Sequence, residues 1–265
     1  MTLDFENFRD ALLGQGLRIT YVSRILVTFR SAGKRAYDNK LMPFRLDVPH
    51  FAKEKHKRGA PLKGPALTPA EWAKIFDATV QPHSLLLNIL LINTASRVSA
   101  LLETTTAQID WQLNTIDLNP EGREETDKRR AVLPIPATLH PWLENLPEGH
   151  LIQHHGKPIT TAKTAFNAAV RRSKIGKKAN AYSARHSIGR WFRRAGIETE
   201  EIGAWLANGQ IPDASQTTLI YSPWEPEYLV NCRQAVEEFV REINRHTRKW
   251  DLTKPYAVKP DWKED

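Results

Sequence analysis

Apolar positions recur at three- and four-residue steps along most of this 265-residue chain. That spacing marks helices that bury one face. The clearest stripe is Ile19, Val22, Ile25, Leu26, Phe29, Ala32 and Ala36, in a helix predicted over 18–40 after a shorter one over 4–13. Arg18, Arg24, Arg30, Lys34 and Arg35 take much of the remaining surface, an arrangement suited to solvent or to phosphates. The periodicity then lapses. Residues 53–65, KEKHKRGAPLKGP, concentrate lysine, glycine and proline in the manner of a linker. It resumes at Leu67-Thr68-Pro69-Ala70-Glu71-Trp72, where Thr68 suits an N-cap, Pro69 the first turn, and Glu71 completes a capping box.

Helices are expected over 69–79, 83–95 and 98–103. Three short strands follow, Gln108–Trp111, Thr115–Leu118 and Ala131–Ile135, the last two joined by the polar tip NPEGREETDKRR. Helices return at 137–145, 160–174, 183–195, 199–207 and 225–248. The stretch 250–265 holds two prolines, two tryptophans and a tyrosine without a period. The fold class is therefore mainly α with a small antiparallel β-sheet, α+β. It divides into a helical domain over 1–64 with a basic linker at 53–66, a larger domain over 67–249, and a C-terminal tail over 250–265, where Trp250 and Trp262 suit a protein–protein contact.

Composition narrows the classes of function. A hydrophobic share of 41% is enough for a core, and no apolar run approaches the ~18 residues of a membrane span; the longest, Leu85–Ile92, is interrupted by Asn88. The polar start MTLDFENFRD does not resemble a targeting peptide. A lone cysteine, Cys232, and the lack of zinc spacings argue against disulfide and zinc-finger scaffolds and for a reducing, cytoplasmic compartment. The net charge of +8 is uneven. Residues 1–64 carry +7, residues 65–195 carry +6 and residues 196–265 carry −5, so a polyanion would meet the first three quarters.

Two arginines stand where a buried face has no need of them. Arg97 lies in INTASRVSALLE among Leu91, Ile92, Ala95, Val98 and Leu101, and Arg185 lies in AYSARHSIGRWF ahead of Ile188, Trp191 and Phe192. An arginine at a core edge needs a partner or a ligand, and two of them make a phosphate clamp. Read singly, each also fits a buried ion pair with a glutamate. Tyr221 follows in SQTTLIY, a turn-like segment before the last long helix.

In this order the boxes resemble the tyrosine recombinase (phage integrase) family. Thr94-Ala95-Ser96-Arg97-Val98-Ser99-Ala100-Leu101-Leu102-Glu103 is similar to its first arginine box. Lys128-Arg129-Arg130-Ala131-Val132-Leu133-Pro134-Ile135-Pro136 matches its hairpin lysine and following strand. Tyr182-Ser183-Ala184-Arg185-His186-Ser187 stands for the second arginine box, and Leu206-Ala207-Asn208 with Thr217-Thr218-Leu219-Ile220-Tyr221 for the last. The resemblance spans roughly residues 15–245. It implies a small helical core-binding domain ahead of a catalytic domain, and a site-specific recombinase that integrates or excises a mobile element.

The implied chemistry uses neither metal nor cofactor. Tyr221 attacks a phosphodiester to leave a 3′-phosphotyrosine, Arg97 and Arg185 hold the non-bridging oxygens, and Lys128 protonates the leaving 5′-oxygen. The chain departs from the pattern at two catalytic positions, with Tyr182 for the box histidine and Asn208 for a later histidine or tryptophan. A phenol donates a hydrogen bond where an imidazole takes up a proton. A second reading follows: a catalytically impaired DNA-binding relative that occupies recombination sites or assembles with an active paralogue. The expected partners are double-stranded DNA and further copies of the chain, as a dimer to tetramer on DNA in the bacterial nucleoid. Candidate DNA contacts are Arg24, Arg30, Lys34, Arg35, Lys57, Arg58, Arg171, Arg172, Lys174, Lys177 and Lys178.

Overall fold

A computed structural model describes residues 2–49, 64–120, 122–124, 129–207 and 225–262. The chain falls into two compact units, Met1–Ala60 and Pro61–Asp265.

In the first unit α1 (Thr2–Gly14) packs on α2 (Ile19–Asp38). Phe29 receives Phe5 at 5.6 Å and Phe8 edge-on at 5.8 Å between ring centroids. Val22 and Leu26 are fully buried, whereas Ile19, Val27 and Phe29 stay exposed. A two-helix unit has too little surface to cover the whole predicted stripe. The chain after α2 folds back: a Cβ on Gly33 would lie 2.6 Å from Leu46 Cδ1, so a larger residue there would have to displace the Leu46 side chain.

The second unit is built around α4 (Pro82–Thr94), where every residue from Ser84 to Thr94 is buried. A helix apolar on all sides must be enclosed, and α3 (Pro69–Asp77), α5 (Val98–Glu103), α8 (Tyr182–Arg194) and α10 (Val230–His246) share its core. Its polar side chains are satisfied locally, Asn88 Nδ2 donating to Thr79 Oγ1 at 3.1 Å. The predicted capping box closes α3, with Glu71 N donating to Thr68 Oγ1 and Thr68 N to Glu71 Oε2.

The three-stranded sheet runs β1 (Ile109–Asp110), β2 (Thr115–Asp117), β3 (Val132–Pro134), antiparallel throughout, with Ile116 opposite both Ile109 and Leu133. Ile116 and Leu133 face the core and Val132 faces out, the alternation a one-sided sheet requires. A second hairpin, β4 (Gln153–His154) with β5 (Lys157–Pro158), was not expected from sequence. The helices expected over 137–145, 160–174 and 199–207 are shorter: α6 (His140–Leu143), α7 (Lys163–Ser173) and α9 (Thr199–Trp205). That expected over 225–248 opens with a 3-10 turn, Pro226–Leu229, before α10.

The stretch after α10 is fastened to its own unit. Leu252 is fully buried, Trp142 Nε1 donates to its carbonyl at 3.0 Å, and Lys259 Nζ donates to the carbonyls of Asn244 and Thr247 at 2.5 and 2.7 Å. Lys259 thereby serves the orphan carbonyls at the end of α10. Trp250 packs against the core and Lys249 lies 4.7 Å from the rings of both Trp250 and Trp262. The two tryptophans expected at a partner's surface thus make contacts within their own unit.

Candidate active site

Arg97 owes its position to a sharp turn. Helix α4 ends at Ala95, whose φ of 51° is left-handed. An L-residue there costs about 1–2 kcal/mol, which enclosure of the fully buried Ala95 must offset. The turn delivers Arg97 to the N-cap of α5 in extended conformation, half-buried, with Nη1 donating to the Arg129 carbonyl at 2.8 Å. Arg130, one residue on, pairs with Glu103 at the other end of α5 and donates to the Leu118 carbonyl at 3.3 Å. The root of the β2–β3 hairpin is therefore tied to both ends of α5. Sequence reading missed Arg129 and Arg130 in this role; Lys128, the residue before them, lies outside the described residues.

Arg185 approaches from α8. Its guanidinium donates to the Ala95 carbonyl at 3.2 Å and to the Leu206 carbonyl. Both acceptors are at helix C-termini, where cations are favoured. Burial pushes Arg185 down to about 10, the Arg97 charge adds to this, and Tyr182 works the other way. It stays cationic at neutral pH. The predicted pair is thus brought together, and two like charges at a core edge are relieved by an anion between them.

Helix α8 is held by a residue that sequence reading passed over. Ser187 Oγ, buried, accepts from Leu67 N at 2.8 Å and from Trp72 Nε1 at 3.0 Å, and donates to the Ser183 carbonyl at 2.7 Å. Tyr182, at the start of the helix, is 43% exposed, and its backbone N–H donates to Asn180 Oδ1 at 2.9 Å. A Cβ on Gly64, at φ +107°, would lie 2.7 Å from that same Asn180 oxygen. The chain arriving before α3 therefore brushes the loop that presents Tyr182. His186, one turn on, has its ring 6.2 Å from Tyr182; burial first, then Arg185 and Arg190, lower its pKa, which favours the neutral imidazole. Tyr182 also lines a cavity of about 570 Å³ with Val98, Ser99, Leu102, Phe166 and Asn167.

Asn208 and Tyr221 lie outside the described residues, but the flanks of their segment are defined. Upstream, Ala207 is left-handed at φ 47°, directly after the carbonyl that Arg185 holds. Downstream, Glu201 on α9, buried, accepts Cys232 N at 2.7 Å and Asn231 Nδ2 at 3.0 Å, which clamps the start of α10. Ala95 and Ala207 both hold the left-handed backbone that glycine favours.

Among the candidate DNA contacts, Arg24, Lys34, Arg35, Arg171, Arg172, Lys174, Lys177 and Lys178 are exposed, and Lys57 and Arg58 lie outside the described residues. Arg30 is half-buried and donates to the carbonyls of Val48 and Pro49 at 3.1 and 3.0 Å, so its guanidinium secures the chain after α2. Lys177 is ion-paired with Glu71 at 2.5 Å and Arg172 donates to the Ala78 carbonyl at 2.9 Å. Among the described residues no group of three or more His, Cys, Asp or Glu side chains could hold a metal, and no helix is long and apolar enough to cross a membrane.

No family model and no curated protein sequence matches the chain. Solved structures do. A lambda integrase dimer bound to a COC′ core site superposes with a TM-score of 0.60 at 16% identity, covering 82% of this chain and 81% of that one. The Tn1549 transposon integrase in complex with circular intermediate DNA gives 0.56 at 15%, covering 88% and 84%. Lambda integrase bound to DNA gives 0.54 at 16%, covering 84% and 82%. The chain has the fold of these tyrosine recombinases, the fold its motif boxes imply.

Proposed function

We propose that the chain is a site-specific DNA recombinase that cuts and rejoins DNA through a 3′-phosphotyrosine on Tyr221, in the integration or excision of a mobile element. The observation that carries this reading is the convergence of Arg97 and Arg185 from separate helices, close enough for one charge to depress the other's pKa. A phosphodiester held there meets two guanidinium forks on its non-bridging oxygens, which stabilise the charge of a pentacoordinate transition state.

Tyr221 Oη attacks phosphorus, the P–O5′ bond breaks, and the 5′-oxygen takes a proton from Lys128 while the phenolic proton leaves to solvent. The Arg97 bond to the carbonyl next to Lys128 supports the lysine's assignment to this site. The phosphotyrosine conserves the energy of the broken bond, so the reverse attack by a 5′-hydroxyl reseals DNA without a nucleotide cofactor. Arg24, Lys34, Arg35, Lys57, Arg58, Arg171, Lys177 and Lys178 supply phosphate contacts along the duplex, and copies of the chain assemble on it. The neighbours' descriptions as a dimer on a core site and as DNA complexes support that assembly.

Tyr182 favours a second reading. With an exposed phenol where the family has imidazole, the site keeps its phosphate clamp and loses a proton acceptor. A binding relative that occupies sites beside an active paralogue has this composition. A nicked suicide duplex carrying the cognate site separates the two. An SDS-resistant adduct formed by the wild type and lost in Tyr221→Phe is the result expected of the enzyme. A site-specific gel shift without adduct leaves the binding relative.

A further inference from the structure

On unit two, α7 runs from Lys163, at the cavity beside Tyr182, to Ser173, a distance of about 16 Å for an eleven-residue helix. At its far end is a groove of about 610 Å³ lined by Lys74, Arg172, Lys174, His246 and Arg248, with Asp77 the only carboxylate in the lining among the described residues. More than half of this lining comes from α3 and from the acidic C-terminal quarter.

Three helix C-termini meet at this groove, those of α3, α7 and α10. Cations at helix C-termini need no ligand to explain them, because each terminus carries about half a negative charge. The charges do not balance on that account alone. Four permanent cations face roughly one and a half negative charges from three termini and one from Asp77. Asp77 is also committed elsewhere: its two oxygens accept the backbone N–H groups of Arg248 and Lys249 at 2.7 and 2.9 Å. Arg172 is bound to the Ala78 carbonyl, which fixes its guanidinium at the groove. His246 is drawn 3.3 Å from Glu242 on its own helix, outside the lining. An excess of between one and two positive charges remains around a concave space. A phosphate group has the charge and the oxygen geometry to fill it.

We propose that this groove is a phosphate-binding site, separate from the Arg97–Arg185 pair, that takes either a backbone phosphate of DNA or free phosphate. The DNA alternative rests on the recombinase reading above; the free-phosphate alternative does not.

The variant Lys74→Gln with Arg248→Gln removes two exposed cations and leaves the backbone bonds to Asp77 in place. The first arm uses inorganic phosphate and thermal melting of the full chain, carried in Arg97→Gln so that the arginine pair does not contribute. At 20 mM phosphate against chloride of equal ionic strength, the parent should melt about 2–4 °C higher and the groove variant should lose that rise. The second arm measures binding of a 30-bp duplex of arbitrary sequence against salt, in an otherwise wild-type chain. If the site takes a DNA phosphate, the slope of log K against log[salt] falls by about one in the groove variant. Loss of the phosphate rise with an unchanged slope assigns the site to free phosphate. No rise in the parent, or an equal rise in the groove variant, overturns the proposal. A wild type that binds no duplex counts against the recombinase reading, and the phosphate arm alone then decides the groove.

Discussion

Ser187→Ala tests how α8, the helix that carries Arg185, is held. The hydroxyl is buried and accepts two donors from the start of unit two, the Leu67 backbone N–H and the Trp72 indole N–H. Alanine removes the acceptor and leaves a void too small for a water to take its place. Each donor left unpaired costs about 1–3 kcal/mol, and the better helix propensity of alanine returns about 0.5 kcal/mol. The expected loss is about 2–5 kcal/mol, a fall in melting temperature of roughly 4–20 °C for a domain of this size. Urea unfolding of the full chain measures it. The sharper measurement is a double-mutant cycle with Trp72→Phe, which deletes one of the two donors. In the Ser187→Ala background that deletion should be cheaper by about 1–3 kcal/mol, because the indole has already lost its acceptor. Additivity within about 0.5 kcal/mol, together with a single-mutant loss below 1 kcal/mol, would refute the claim that this hydroxyl ties α8 to α3.

Gly64→Ala forces a Cβ to within 2.7 Å of Asn180 Oδ1 at a φ of +107°, so it should destabilise the chain by about 2 kcal/mol or more and shift the backbone N–H chemical shift of Tyr182; an unchanged Tyr182 resonance would contradict the coupling. His83 has its pKa lowered by burial first and by His154 and His155 second, and His186 is lowered too. The unfolded state then binds more protons below the usual histidine range, so stability falls as pH drops from 7.5 to 5.5, and His83→Gln should flatten that fall in urea midpoints. Arg130→Met should keep its buried packing but release Glu103, loosening the hairpin root and speeding hydrogen exchange around β3 more than it lowers global stability.

Much of this architecture is legible along the chain, because it rests on local periodicity. Helix α5 falls at Val98–Glu103 as its apolar spacing requires, and the Thr68–Glu71 box closes α3. The two arginines stand out because they interrupt buried faces. What escapes reading depends on pairs distant in sequence or on backbone acceptors. Ser187 looks like any helix serine until Leu67 and Trp72, more than a hundred residues earlier, arrive at its hydroxyl. Arg185 rests on two carbonyls, which no side-chain pattern can announce. The β4–β5 hairpin has two-residue strands with no buried position, so it leaves no alternation to find. The first unit shows the opposite failure, a clean stripe on α2 of which Ile19 and Phe29 remain exposed.

The fastening of the chain's end has a practical reach. Lys259 stops the fraying of α10 at one terminus, while Glu201 grips the other terminus, immediately after the stretch that carries Tyr221. Shortening the chain after Thr247 would strip the helix of its lysine, remove Leu252 and the carbonyl that Trp142 Nε1 holds, and send any slackening toward the start of α10. An affinity handle is better placed ahead of α1 than fused close behind Trp262, whose ring helps hold Lys249. Lost activity in a shortened protein would then report a loosened helix as readily as a missing partner contact.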